Sequence, residues 1–172
     1  MRGGKAQLYE GGIRVPLIMR WPGVIAAGRT DATPVTTVDF VPTFLELTGR
    51  PAPRPTVLDG VSLVPLLKGG PAPARPAIFW HYPHYHTEGL GPSGAIRAGD
   101  WKLIEYFETT LTGQGRDLEL FNLRDDPAEA RNLAKAEPTR AAALQAQLQA
   151  WREKVGAQMP AVNPAHDPTR GR

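Results

Sequence analysis

Gly3-Gly4-Lys5-Ala6-Gln7-Leu8-Tyr9-Glu10-Gly11-Gly12-Ile13-Arg14-Val15-Pro16-Leu17-Ile18-Met19-Arg20-Trp21-Pro22-Gly23 is the stretch on which the reading of this sequence turns. Two glycine pairs enclose a lysine and a glutamate, an arginine follows, and an almost uncharged apolar run comes next. Glycine lacks a Cβ, so such pairs mark sharp turns or close backbone approaches. A lysine on such a turn can meet an anion as a compact point charge. The run Val15 to Met19 is too apolar for a half-exposed strand and predicts a short strand buried on both faces, as in a helix-covered parallel sheet. Pro16 confines it to a strand start or an edge.

Working outward, 172 residues suffice for one domain with a subdomain. Twenty basic and 17 acidic residues leave a net charge of +3. The basic balance fits an anionic partner, but the basic residues are scattered rather than clustered, which makes a nucleic-acid surface the weaker reading. Disulfides are excluded because there is no cysteine, and that says nothing about compartment. No apolar stretch is long enough to span a bilayer, and the first residues lack the apolar core of a signal peptide.

Asp39 and Gly49 bracket a predicted helix in which Phe40, Val41, Phe44, Leu45 and Leu47 form a core-facing stripe and Pro42 lies in the first turn. A proline-rich linker leads to a short helix capped by Ser62, with Pro65 in its first turn and Leu63, Leu66 and Leu67 inward. From Ala77 the pattern changes to strands. They are expected over Ala77 to Tyr82, over Ala95 to Arg97 and Trp101 to Phe107 around an Ala98-Gly99-Asp100 turn, and over Leu118 to Leu123 after a loop from Thr109 to Arg116. A closing helix spans Pro138 to Val155, with Leu144, Leu148, Trp151 and Val155 on one face. Four antiparallel strands with a helix across them form a two-layer unit. The proline-rich segment after Val155 reads as an extended tail.

Several residues invite chemical readings. Lys5 is either an anion contact or a solvated surface lysine. Glu10 and Arg14, four apart, suit a mutual pair or a brace for the turn that carries Lys5. His81, His84 and His86 alternate as a zinc site would, but no cysteine or carboxylate completes one except Glu88. Otherwise they are a strand end with interfacial aromatics. Asp125 and Asp126, before a proline, are turn formers first. Asn122, Glu129 and Asn132 receive no chemistry.

The strings Arg2-Gly3-Gly4-Lys5, Tyr9 to Pro16 and Arg20-Trp21-Pro22-Gly23 together resemble the sulfatases, in their arylsulfatase-like branch. Leu58-Asp59-Gly60-Val61-Ser62-Leu63, the strand region, Asn122 to Leu133 and the ending Met159-Pro160 with Asn163 to Pro168 follow in the same order. His166 stands where an aromatic is commoner. The resemblance covers nearly the whole chain but only the C-terminal portion of such an enzyme. It implies an α/β fold, the C-terminal part of an alkaline-phosphatase-like sulfatase, ending in a four-stranded antiparallel sheet packed by a C-terminal helix. Residues 1–70 would end the α/β core, 71–156 would form the small subdomain, and 157–172 the tail.

The resemblance also implies hydrolysis of aryl or carbohydrate sulfate monoesters by a formylglycine nucleophile with calcium. Lys5 would contact sulfate, where a fixed cation stabilises the charge that develops on the oxygens. His84, then His81 and His86, would line the substrate mouth, where imidazole suits sugar hydroxyls or sulfate. Glu10 and Arg14 would support the turn. The nucleophile motif is absent, since Ser62 and Ser93 are the only serines and neither sits in it. No residue matches the family's calcium ligands. The expected partners are therefore a sulfated small molecule or glycan and an N-terminal sulfatase portion encoded upstream, without which the chain should be inactive. A truncated, split or mis-started gene would explain the start, and the compartment stays open. Alternatives are a phosphatase or phosphonate hydrolase of the same superfamily, a non-catalytic module binding anionic glycans, and an aggregation-prone fragment.

Overall fold

The computed structural model describes residues 1–165. The chain packs as two compact units: Met1–Val15 together with the described residues from Ala77 onward, and Pro16–Pro76.

The first unit is built on an antiparallel meander of β1 (Ile78–Tyr82), β2 (Ser93–Ala98), β3 (Trp101–Tyr106) and β4 (Glu119–Asn122), in that spatial order. The register runs Trp80, Ala95, Ile104, Glu119 across the sheet. Because side chains alternate along a strand, the sheet presents two apolar faces. Ile96, Leu103 and Leu120 pack against Ala141, Leu144 and Leu148 of the closing helix α5 (Pro138–Val155). Phe79 stacks on Trp151 with ring centroids 4.8 Å apart, which adds roughly 0.5–1.5 kcal/mol beyond area burial. Ala95, Ile104, Tyr106, Phe121 and Leu123 line the other face, which the amino-terminal segment covers through Tyr9 and Leu8.

That cover is the fold's first departure from expectation. Glu10–Ile13 form one helical turn, α1, and no strand forms over Val15 to Met19. Val15 is 77% and Ile18 91% exposed. A strand needs a neighbour for its N–H and C=O groups, and among the described residues none lies beside this run. α4 (Phe107–Thr112) occupies the start of the expected loop, with buried Phe107 rooting it in the core. On α5, Val155 is exposed. The inward positions are Ala141, Leu144, Leu148 and Arg152; Val155 is in phase with them but is the last residue of the helix, and it stays exposed.

In the second unit, α2 (Phe40–Leu47) follows a 3₁₀ turn at Thr37–Asp39, and α3 (Val64–Leu67) holds Pro65 in its first turn. Of the expected inward stripe of α2, Val41, Phe44 and Leu47 are exposed and Phe40 and Leu45 half-buried, while Thr43 is buried. Polar bonds explain the difference. Thr43 Oγ1 donates to Asp39 O at 2.6 Å and accepts the Leu63 N–H at 2.9 Å. The buried Asp39 carboxylate accepts the Thr36 and Val61 N–H groups and pairs with Arg75. The α2 face is thus set by a carboxylate and a hydroxyl rather than by its hydrophobic spacing. The N-cap of α3 is Leu63 rather than the expected Ser62, which stands one residue earlier and accepts the Val64 N–H at 3.2 Å; Leu63 and Leu66 are buried as expected. No described helix is long and apolar enough to cross a membrane.

Candidate functional site

Three of the four glycines, Gly3, Gly11 and Gly12, form a single packing device. Gly11 N–H donates to Arg2 O at 2.8 Å and Gln7 N–H to Gly4 O at 3.1 Å. A Cβ on Gly11 would sit 2.4 Å from Gly3 O, and one on Gly12 would sit 2.0 Å from Gln7 O. Only glycine lets α1 lie directly on the backbone of the Lys5 turn.

At the crown of that turn the Lys5 side chain is 81% exposed, with Nζ 3.3 Å from Glu88 Oε2. Gln7 Nε2 donates to Glu88 O at 3.2 Å. Lys5 therefore stands beside the histidine-bearing segment between β1 and β2. An exposed pair of this kind is worth under about 1 kcal/mol, so an incoming anion can displace Glu88 from the ammonium.

The three histidines have different surroundings. His86 Nδ1 accepts the Glu88 N–H at 3.1 Å. His84 is exposed and meets Tyr82 edge-on at 5.6 Å. His81 lies lower, its ring 5.3 Å from Phe107 and its Nε2 donating to Gln158 O at 2.8 Å. His86 is thus linked to Lys5 through Glu88, His84 lies against Tyr82 at the end of β1, and His81 ties β1 to the start of the tail.

Beneath the turn lies a charge cluster that sequence reading caught only in part. Glu10 and Arg14 do pair, at 3.8 Å, but the nearer partner of Glu10 is Lys102 Nζ, 3.1 Å from its other oxygen. Lys102 also lies 2.8 Å from Glu129 Oε1, and Arg97 lies 4.0 Å from Glu10. Lys102, Glu10 and Glu129 are all buried. The one available signal was a lysine in the middle of the apolar strand run Trp101-Lys102-Leu103-Ile104.

Alongside, the Tyr9 hydroxyl donates to Glu119 Oε2 at 2.5 Å and lies 3.0 Å from the Tyr106 hydroxyl, and Arg2 covers the Tyr9 ring at 4.1 Å. Burial, followed by the hydrogen bond to Glu119, pushes the Tyr9 hydroxyl above its ordinary pKa. Burial, followed by the bond to Tyr9, raises Tyr106 further. Asp126 behaves as a turn former: the Arg131 N–H, 2.9 Å away, holds its carboxyl below the usual range.

These residues can bind and orient an anion. They do not fit the nucleophile and metal of the expected reaction. Ser62 Oγ accepts the Val64 N–H at the start of α3, and Ser93 is buried, its Oγ donating to Gly91 O. No group of three His, Asp or Glu among the described residues could hold a cation.

A family model described as N-sulphoglucosamine sulphohydrolase, C-terminal, matches residues 4–157. The chain belongs to the sulfatases. Human arylsulfatase D is 36% identical over 153 residues, covering 77% of this chain and 26% of the relative. The N-acetylglucosamine-6-O-sulfatase of Bacteroides thetaiotaomicron is 36% identical over 138 residues, covering 77% of this sulfatase chain and 24% of the relative. A solved complex of a protein with its substrate D-glucosamine-2-N,6-O-disulfate superposes with a TM-score of 0.72 at 30% identity, covering 88% of this chain and 31% of the other. The phosphonate monoester hydrolase of Agrobacterium radiobacter, at 24% identity and a TM-score of 0.51, shares the fold. The sheet and its helix are thus the C-terminal end of an alkaline-phosphatase-like sulfatase fold. The chain spans about a quarter of the length of the curated relatives quoted, 26% of one and 24% of the other.

Proposed function

We propose that this sulfatase chain forms the anion-contacting wall of a sulfate-monoester hydrolase. In this reading Lys5 touches the sulfate oxygens, and His84 and His86 contact the alcohol portion, an aryl group or a sugar. His81 holds the base of the loop. Glu10 and Arg14 support the turn. The nucleophile and the calcium site would come from a preceding sulfatase portion, because the residues here supply neither. This chain's own part is to bind the sulfuryl group and fix its orientation beside a cation, which lowers the barrier when charge moves onto the oxygens.

The observation that carries the reading is the exposed Lys5 ammonium, held on a turn that Gly3, Gly11 and Gly12 lock in place and facing the histidine loop. Similarity to a protein bound to glucosamine disulfate makes an amino-sugar sulfate the first ligand to test.

The test is a titration of the chain with glucosamine 6-sulfate, followed by NMR and repeated with Lys5→Ala. An exposed charge contact contributes up to about 1 kcal/mol, so Lys5→Ala should weaken binding by up to about fivefold. The binding should also weaken as salt is added. Equal affinity in both proteins would remove Lys5 from the site. The chain alone should release no sulfate from the ester above the Lys5→Ala background, since nothing in it attacks sulfur. Turnover above that background would refute an upstream nucleophile.

A further inference from the structure

Lys102 lies on β3 with its ammonium wholly enclosed between two buried carboxylates, those of Glu10 and Glu129. Apolar side chains already fill both faces of the sheet, so the cluster is not needed to close the core. Buried ion groups are costly to desolvate, and well-packed apolar replacements are often neutral or stabilising. The role of this one lies in what it holds.

It holds both ends of the Lys5 turn. Glu129 Oε2 accepts the Glu10 N–H at 2.6 Å, so Glu129 fixes the first residue of α1 by its backbone while Lys102 fixes it by its side chain. The Glu129 carbonyl accepts Arg2 Nη1 at 3.0 Å, and the Arg2 carbonyl accepts the Gly11 N–H at 2.8 Å. Arg2 before the turn and Glu10 after it therefore converge on one residue, 119 positions from Glu10. Glu129 itself has φ +54°, in the left-handed region that a glutamate seldom adopts. Backbone of that kind persists where its surroundings over-determine it, and such places concentrate at functional sites.

We propose that Lys102 and Glu129 are positioning residues that set the Lys5 turn against the sheet, and through the sheet against the histidine loop between β1 and β2. Neither touches the ligand; they act through Glu10 and the stacked glycines. The functional meaning of this inference rests on Lys5 being the sulfate contact, whereas the mechanical part stands on its own.

The test uses the full 172-residue chain, ¹⁵N-labelled, with inorganic sulfate as probe and the variants Lys102→Met and Glu129→Gln. Two signals are read: hydrogen exchange at the Gln7, Gly11 and Gly12 amides compared with that in β1 and β2, and the sulfate-induced shift of the Lys5 amide. The expected result is exchange at least tenfold faster in the turn, unchanged protection in β1 and β2, and a Lys5 response reduced to that of Lys5→Ala. Unchanged turn exchange in both variants overturns the inference. So does acceleration by one common factor in turn and sheet, which would mark a general stabiliser. If Lys102→Met fails to fold, the isosteric Glu129→Gln is judged by the same criterion, and unfolding of both also overturns it. A turn that loosens as expected in the variants, with a wild-type chain that does not respond to sulfate, would leave the positioning role standing and sink the reading of Lys5.

Discussion

At Gly12 a missing methyl group decides a local structure. A Cβ there would meet Gln7 O at 2.0 Å and Gly4 O at 2.4 Å, both backbone atoms that cannot swing away. Gly12→Ala should therefore force α1 off the turn and lower stability by roughly 1–3 kcal/mol, as overpacking does. Gly4→Ala, with nothing within 4 Å of the added Cβ, should be nearly neutral. Urea midpoints of the two variants check this, and equal midpoints would show that the turn and α1 part without cost. The glycine pairs were legible in the sequence because a residue's own chemistry announces close approach. Lys102 and Glu129 were not. Their partners lie 92 and 119 positions away from them, and a lone charge inside an apolar strand run looks the same whether it ends in water or in a buried cluster.

Among the elements, the meander and its closing helix were readable because period-two alternation, the turn at Gly99 and the spacing of Leu144 and Leu148 act locally. The strand over Val15 to Met19 and the inward stripe of α2 failed for a shared reason. An apolar run states that a surface seeks cover but not whether the chain provides it, and in α2 the hydroxyl of Thr43 and the carboxylate of Asp39 chose the face instead. The contact between the amino-terminal segment and β3–β4 has a signature in pH. Tyr9 and Tyr106 are both raised above the ordinary tyrosine value, chiefly by burial. Below about pH 10, folded and unfolded chains alike keep these protons. Above it the unfolded chain releases them first, so the stability they lend is lost as pH rises, at up to about 1.4 kcal/mol per pH unit for each tyrosine. Urea denaturation between pH 9 and 11 should show this decline, and Tyr106→Phe should flatten it. Identical slopes in the two proteins would mean that the hydroxyls reach solvent.

For the whole molecule, family membership was legible because the glycine–lysine turn, the Arg20-Trp21-Pro22-Gly23 string and the Asn122 to Leu133 segment recur in a fixed order, whereas the exposure of its apolar residues was not. Val15 and Ile18, and on α2 Val38, Val41, Phe44 and Leu47 or the turn before it, all face solvent. Exposed apolar side chains clustered on one run or one helix are an aggregation liability, and an unpaired apolar run is a template for pairing with another chain. The isolated chain should therefore self-associate as its concentration approaches about 100 μM, within the range where such surfaces aggregate. Ile18→Lys combined with Phe44→Lys should return it to a monomer by sedimentation velocity. Both positions are exposed, so the urea midpoint should stay within about 0.5 kcal/mol of the parent. A wild-type chain that sediments as a monomer throughout would refute this association. A double variant that remains associated would place the sticky surface elsewhere, with the edges of β1 and β4 the next to alter.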